Sequence, residues 1–219
     1  MSHVVVDAAF TQCLKKGCKA VELPLTPAQE DALNLHAREL FLWNKKINLT
    51  AIRSPKEVAE KHFVDAVAVS RFIPSGIRLM DLGSGGGFPG LPIKVMVPDI
   101  DLTLVDASRK KINFLKQVIR VQGLDQARAV HSRVEDLHED SDYAEGFDGV
   151  ISRGFANLEK FVELAQPLLK PQGVLYALKG DNGPAEITPA LEDQFKIETE
   201  FYSLPFEKAD RYLIRLLPK

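Results

Sequence analysis

The spacing of apolar positions along this chain changes near residue 75. Before it the period is helical. Leu33, Ala37, Leu40 and Phe41 fall on one face of a first helix, and a later run carries Val58, His62, Ala66 and Val69 on one face of a second. Both runs open with a start signal. Thr26, Pro27 and Gln29 supply an N-cap, a first-turn proline and a capping-box partner, and Ser54, Pro55 and Glu57 repeat the arrangement. The polar and basic connector "WNKKINLTAIR" (43–53) joins them. After residue 75 short apolar segments alternate with helical ones. Residues 77–82, 101–106, 127–132, 147–152 and 173–179 read as strands, and 90–97, 109–122 and 157–169 as helices between them.

Strands that alternate with helices imply right-handed βαβ units and a parallel sheet. The segments 195–204 and 211–217 follow with a short link, which predicts an antiparallel pair at one edge. The expected architecture is therefore α/β. It is a doubly wound, mainly parallel seven-stranded sheet with an antiparallel edge, carrying an N-terminal helical cap. The cap spans residues 1–74 and the core 75–219, together one compact unit.

Composition narrows the function classes. The chain has 219 residues, 45% hydrophobic and 26% charged, as in an ordinary globular protein. No apolar run approaches the length of a membrane span, and no basic stretch precedes a long apolar one at the N-terminus, so neither membrane partner nor secretory signal is expected. The two cysteines, Cys13 and Cys18, form neither a disulfide framework nor a metal knuckle. Free thiols in a reducing cytoplasm, with no metal site, is the expectation. The net charge of −2 means that a nucleic-acid partner would need a local basic patch.

The strongest chemical signal is "MDLGSGGGFPG" (80–90), at the exit of the first strand of the alternating region. Glycine loses more freedom on folding than any other residue, so a cluster needs a reason. In open α/β sheets ligands bind beyond the carboxyl ends of the strands at the switch point, where this loop falls. Gly85, Gly87 and Gly90 match a dinucleotide fingerprint, and Asp106 lies near the spacing of a ribose-binding acid. Two features oppose a dinucleotide. Asp81 precedes the loop in the arrangement D-x-G-x-G-x-G (Asp81, Gly83, Gly85, Gly87) and is expected to put a carboxylate at its mouth, repelling a pyrophosphate. Pro89 and Pro92 also disturb the helix start that a phosphate needs. A ligand with a ribose, an adenine and an aminocarboxyl group fits better, which describes S-adenosylmethionine. Asp106 would accept from both ribose hydroxyls. The Val134 backbone would meet the adenine edge. Glu135 either accepts from the adenine amine or is one more solvated acid in the stretch Glu135, Asp136, Glu139, Asp140, Asp142 and Glu145.

Several linked motifs then carry a likeness: "NLTAIRSPKEVAEKHFVDAVAV", "DLGSGGGFPGLPIKV", "LVDASRKKINFL", "SRVEDL", "GVISRGFANL" and "YALKG". In order and content they resemble the bacterial small-subunit ribosomal RNA guanine-N7 methyltransferases, the glucose-inhibited division protein B family, from about Asn44 to Gly180. The resemblance implies a class I methyltransferase fold and S-adenosylmethionine as donor. It implies a guanosine of the 530 loop of 16S ribosomal RNA as acceptor. The RNA is expected within the small subunit or an assembly intermediate, and the protein is expected to be a cytoplasmic monomer. The family's cofactor contacts fall on Gly83, Phe88, Val134, Glu135 and Arg153, and Gly85 joins them in the loop. The sequence departs from the family in lacking a proline inside the glycine loop and in having Ala66 where a serine is usual.

Guanine N7 has a free lone pair and no proton to remove, so no general acid or base is expected. The task is alignment of donor and acceptor. Arg153, just past the fourth strand, is the expected positioning residue; it would stack on a ring, hydrogen-bond guanine O6 or touch the cofactor. Phe155 either stacks on the base or packs in the core. The expected RNA surface draws on Lys45, Lys46, Arg53, Lys61 and His62 of the cap, with Lys179 and Arg211 beyond it. His62 has a second reading as a core histidine partnered by Asp65, three residues on. Two rival functions remain: a nicotinamide-dependent oxidoreductase built on the glycine fingerprint, and a non-catalytic ribosome-binding module of the same fold.

Overall fold

The computed structural model describes residues 7–219 except Ser141 and Glu145. The last acid of the acidic stretch, Glu145, lies outside the described residues. Seven strands form one sheet: β1 (Arg78–Leu82), β2 (Asp101–Asp106), β3 (Ala127–His131), β4 (Phe147–Arg153), β5 (Leu169–Lys179), β6 (Phe195–Ser203) and β7 (Asp210–Pro218). Their order is β3-β2-β1-β4-β5-β7-β6. The first five pair in parallel, while β7 runs antiparallel to both β5 and β6. The chain steps outward from β1 through β2 to β3, then returns to lay β4 on the other side of β1. That reversal opens a crevice at the carboxyl ends of β1 and β4.

Alternation along the strands divides the core between two faces. Leu79, Leu102, Leu104 and Ile151 point to one face, and Met80, Leu82, Val105 and Val150 to the other. Helices α5 (Gly90–Met96) and α6 (Arg109–Gln122) cover the first face, and α7 (Val134–Leu137), α8 (Leu158–Ala165) and α9 (Pro189–Gln194) lie on the second. The N-terminal helices α1 (Ala8–Ala20) and α2 (Pro27–Asn44) bury Phe10, Leu14, Leu33 and Leu40 in the same cluster as Leu79 and Leu104. The cap is thus continuous with one face of the sheet. Among the described residues no helix is long and apolar enough to cross a membrane.

The start signals work as their residue types dictate. Thr26 Oγ1 accepts from the Gln29 N–H (3.3 Å) while Gln29 Oε1 accepts from the Thr26 N–H (2.9 Å). Helix α1 has no counterpart in the expectations above. Its signals are an Asp7 N-cap and buried Phe10, Leu14 and Cys18, spaced four residues apart. Both cysteines lie on it as free thiols.

The largest departure lies in the second predicted helix. It is α3 (Pro55–Val58), a π-helical segment (Ala59–Val64) and α4 (Asp65–Ser70). In the wider turn the Asp65 N–H reaches back five residues to the Glu60 carbonyl. An inserted residue of this kind rotates the following face by roughly 100° and is a frequent mark of a functional site. Three consecutive side chains of the π turn have separate tasks. Glu60, buried, accepts the backbone N–H groups of Phe206 (2.6 Å) and Glu207 (2.9 Å) at the tip of the β6–β7 hairpin. Lys61 bridges Glu57 (2.9 Å) and Glu207 (2.7 Å). His62 turns toward the end of β4.

The Glu60 clasp ties the C-terminal hairpin tip to the cap, together with the Lys61–Glu207 pair. Glu60→Ala removes two charge-assisted bonds and is expected to cost about 2–3 kcal/mol. Urea unfolding measures this directly, and an unchanged midpoint would show that the clasp adds nothing to stability.

Candidate functional site

The glycine loop is anchored to the strand ends by two carboxylates. Asp106, the last residue of β2, accepts from the Gly85 N–H through Oδ2 (3.0 Å) and from the Ser108 N–H through Oδ1 (2.8 Å). Asp81, in β1, accepts from the Gly90 N–H through Oδ2 (2.8 Å). The loop chain is pinned between them by Ser84, whose hydroxyl donates to the Asp81 carbonyl (2.7 Å) and whose N–H reaches the Val105 carbonyl (3.0 Å). Gly83 needs a left-handed conformation (φ +69°), and a Cβ there would stand 2.7 Å from the Phe155 ring. Gly90 is glycine for a different reason: a Cβ would meet Asp81 Oδ2 at 2.7 Å and Leu104 Cδ2 at 2.7 Å.

Asp81 is not at the mouth of the loop, as the sequence suggested, but beneath it with no solvent exposure. The reason is the alternation of β1, which turns residues 79 and 81 to the buried cap face. Its Oδ1 has no hydrogen-bond partner. Burial pushes the carboxyl up to about 7, against the opposing effects of the Gly90 N–H and Arg153. The first N–H of α5 is therefore already occupied by an internal carboxylate. A helix start filled in this way has little to offer a pyrophosphate.

A cavity of about 220 Å³ lies over the ends of β2 and β3. Gly83, Asp106, Val134, Glu135 and Phe155 all line it. Phe155 closes one wall by packing on Gly83; it is half-buried and lines this cavity, not the second one described below. Gly85 stands behind this wall, tied to Asp106. Phe88 is elsewhere. It is buried, with its ring stacked on His36 (4.8 Å) and His62 (4.8 Å), and the Arg153 guanidinium lies 5.3 Å from its centroid.

A second cavity, of about 400 Å³, lies past β4 and β5 on the other side of the segment 153–155 and is lined by Lys61, His62, Asp65, Arg153, Lys179 and Arg211. Arg153 is held on several sides. Its Nη1 donates to the Lys61 carbonyl (2.8 Å) and to Asp65 Oδ2 (3.0 Å), and its Nη2 to His62 Nδ1 (3.0 Å). That bond fixes the imidazole: with Nδ1 accepting, the Nε2–H donates to Thr50 Oγ1 (2.8 Å). Burial, reinforced by the Arg153 charge, lowers His62 to about 3, so it is neutral. Asp65 also accepts from the Tyr202 hydroxyl (2.7 Å).

The expected basic surface divides in two. Lys46 and Arg53 are exposed on the connector, with Lys45 beside them. Lys179 is not a free surface cation: its Nζ binds the Ala156 carbonyl (2.7 Å) and Glu186 (2.7 Å), and the side chain is 11% exposed. Arg211 leans on Asp65 at 3.9 Å. His62 is neutral and stacked, and Asp65 is not its partner, because the π turn carries Asp65 round to Arg153 and Tyr202 instead. Sequence reasoning missed His36, Thr50, Asp65 and Tyr202 as site residues. His36, on α2, bonds the Gly86 carbonyl (2.8 Å) and so ties the cap to the glycine loop. The one visible signal was the His62–Asp65 spacing; the rest depends on contacts across the core. Among the described residues no group of His, Cys, Asp and Glu is arranged to hold a metal ion.

Comparison with known proteins adds a family to this geometry. The family model described as rRNA small subunit methyltransferase G matches residues 29–214. A relative from Geobacter sp. (strain M21), named ribosomal RNA small subunit methyltransferase G, is 44% identical over 181 residues, 83% of this chain and 82% of its own. One of the same name from Geobacter metallireducens is 40% identical over 215 residues, 95% of this chain and 96% of its own. Among solved structures, a SAM dependent methyltransferase from Aquifex aeolicus superposes with TM-score 0.55 at 16% identity, covering 76% of this chain and 94% of that one. Precorrin-6y C5,15-methyltransferase from Geobacter metallireducens gives 0.54 at 16%, covering 71% and 88%. These structural likenesses bear on the fold, which is of class I.

The two stacked histidines make a pH prediction. Burial lowers His36 to about 4 and His62 to about 3, below the usual 6.5. The unfolded chain then binds protons that the folded one does not, and stability falls as pH drops below about 6.5. Asp81, raised to about 7, acts in the opposite sense: its contribution is present below the ordinary carboxylate range and lost as pH rises through 7. His36→Phe keeps the stacking and removes one histidine. Between pH 6.5 and 5 its stability should fall less steeply than wild type, by up to about 1.4 kcal/mol per pH unit. Parallel slopes in denaturant titrations at several pH values would contradict a neutral, buried His36.

Proposed function

The chain belongs to the rRNA small subunit methyltransferase G family, and on that premise we propose that it methylates N7 of a guanosine in the 530 loop of 16S ribosomal RNA, with S-adenosylmethionine as donor. The observation that carries this reading is the pair of cavities on either side of the segment 153–155. One is lined by the residues expected to hold an adenosyl group, the other by hydrogen-bond donors suited to a base.

The residues present fit the cofactor. Asp106 stands at the end of β2 with each carboxylate oxygen bonded once to backbone and each retaining a lone pair for a ribose hydroxyl. Val134 opens α7, so its backbone N–H has no partner within the helix and faces the adenine side. Glu135, beside it and exposed, would accept from the adenine amine. Asp81, buried beneath the loop, acts through the backbone: it holds the Gly90 N–H and so fixes the loop over which the aminocarboxyl end would lie. When bound, the cofactor supplies an electrophilic methyl group on a sulfonium centre.

The chain's own part is alignment. Guanine N7 presents a lone pair, so no side chain has to remove a proton. Arg153, held by three bonds, lines the second cavity, where it positions the base by stacking or through O6. Phe88, between two imidazoles, supports the guanidinium from behind. The exposed Lys46 and Arg53 would meet phosphates of a folded RNA, in an otherwise slightly acidic protein. The substrate is the small subunit or an assembly intermediate, and the protein acts on it in the cytoplasm as a monomer.

Incubation with labelled S-adenosylmethionine and unmodified small subunits, with naked RNA in parallel, is expected to give 7-methylguanosine on nucleoside analysis. Another methylated nucleoside would overturn the acceptor. Asp106→Ala is expected to weaken S-adenosylhomocysteine by about 1–3 kcal/mol in calorimetry, since it removes charge-assisted bonds to the ribose and frees the Gly85 anchor. Undiminished affinity would remove Asp106 from the site.

A further inference from the structure

Three of the four cations lining the second cavity have a carboxylate within 3.0 Å, and the fourth, Arg211, lies 3.9 Å from Asp65. Lys179 is paired with Glu186 (2.7 Å), Lys61 with Glu57 and Glu207 (2.9 and 2.7 Å), and Arg153 with Asp65 (3.0 Å). The Arg153–Asp65 pair is the most enclosed. Asp65 is 2% exposed, and its second oxygen is taken by the Tyr202 hydroxyl. Burying a carboxylate is costly unless it is paired and hydrogen-bonded, so a fully partnered one at this place calls for a role.

Methyl transfer supplies one. The reaction breaks the sulfonium carbon–sulfur bond and forms a carbon–nitrogen bond to the base. The electron pair of the broken bond stays on sulfur, and the positive charge ends on the methylated ring. On the reading proposed above, on which this inference rests, that charge moves from the first cavity toward the second, and so toward Arg153. An unpaired guanidinium there would oppose the step, whereas a paired one leaves its donors in place with its charge balanced. We propose that Asp65 is the counter-ion of the acceptor pocket: a positioning residue that fixes the Arg153 guanidinium and cancels its charge beside the methyl-accepting base. The π turn provides the means. It presents the Lys61 carbonyl, His62 Nδ1 and Asp65 Oδ2 to one guanidinium, and so gives Arg153 two neutral acceptors and one charged one.

The test is steady-state methylation of unmodified small subunits by wild type, Asp65→Asn, Asp65→Glu and Tyr202→Phe, with S-adenosylhomocysteine affinity measured for each. Asp65→Asn is expected to lower kcat on the order of 10- to 100-fold, toward the low end for loss of one preorganised electrostatic group. Its KM for the subunit and its cofactor affinity should stay within about threefold, a split that a loosened fold would not produce. Asp65→Glu, which keeps the charge, should regain most of kcat. Tyr202→Phe, which keeps the ion pair, should lose less than about threefold, as for one neutral hydrogen bond. An unchanged kcat for Asp65→Asn, or a loss carried by KM or by a weakened but still measurable cofactor affinity, overturns the counter-ion role. If Asp65→Asn fails to bind cofactor at all, Asp65→Glu decides: cofactor affinity intact with kcat as low as a tenth of wild type overturns the role. A wild type that makes a nucleoside other than 7-methylguanosine overturns the acceptor reading instead, so the two failures are distinct.

Discussion

The bond from the Gly90 N–H to the buried Asp81 carboxylate is the contact on which the rest of the site depends. It joins the end of β1 to the start of α5 and leaves the intervening glycines no slack. With both ends held, the loop lies across the ends of β1 and β2, where Asp106 takes the Gly85 N–H and Ser84 reaches back to Val105. The cost is a carboxylate with one unpartnered oxygen and no exposure to solvent.

The cap is part of this device. His36 on α2 holds the Gly86 carbonyl, and the rings of His36 and His62 enclose Phe88. The far end of the chain closes the arrangement, through Tyr202 on Asp65 and the hairpin tip on Glu60. Chain segments near both termini thus converge on six residues of π helix and the residue after it. A regular α-helix would present Glu60, Lys61 and Asp65 with other relative angles, because each residue step turns the helix by roughly 100°. The irregular turn lets one short segment face the hairpin, the β4 exit and the connector at once.

Charge balance is the other theme of the site. The chain carries a formal net charge of −2, and the cations lining the second cavity are spent locally on carboxylates. Donor groups are kept while field is removed, a suitable setting for chemistry in which positive charge arrives at the acceptor. The exposed cations are left for the connector, where Lys45, Lys46 and Arg53 meet solvent.

The sequence by itself determined the strands, the longer helices between them and the position of the glycine loop at the end of β1. Burial on one or two faces writes a period of two or of 3.6 into the chain, so β2 and α6 fall where alternation and helical spacing put them. The Asp81–Asp106 pair was legible because a glycine loop after a strand constrains its neighbours locally. Tertiary structure alone decided that Asp81 lies beneath the loop, that Lys179 is paired, and that Thr50, His62, Asp65, Arg153 and Tyr202 form one network. Asp65 and Tyr202 are 137 positions apart. Periodicity reports which side of an element is buried, but not which distant side chain meets it there. That partner is set by the path of the chain through space, and here by a single widened helical turn that leaves almost no trace in the pattern.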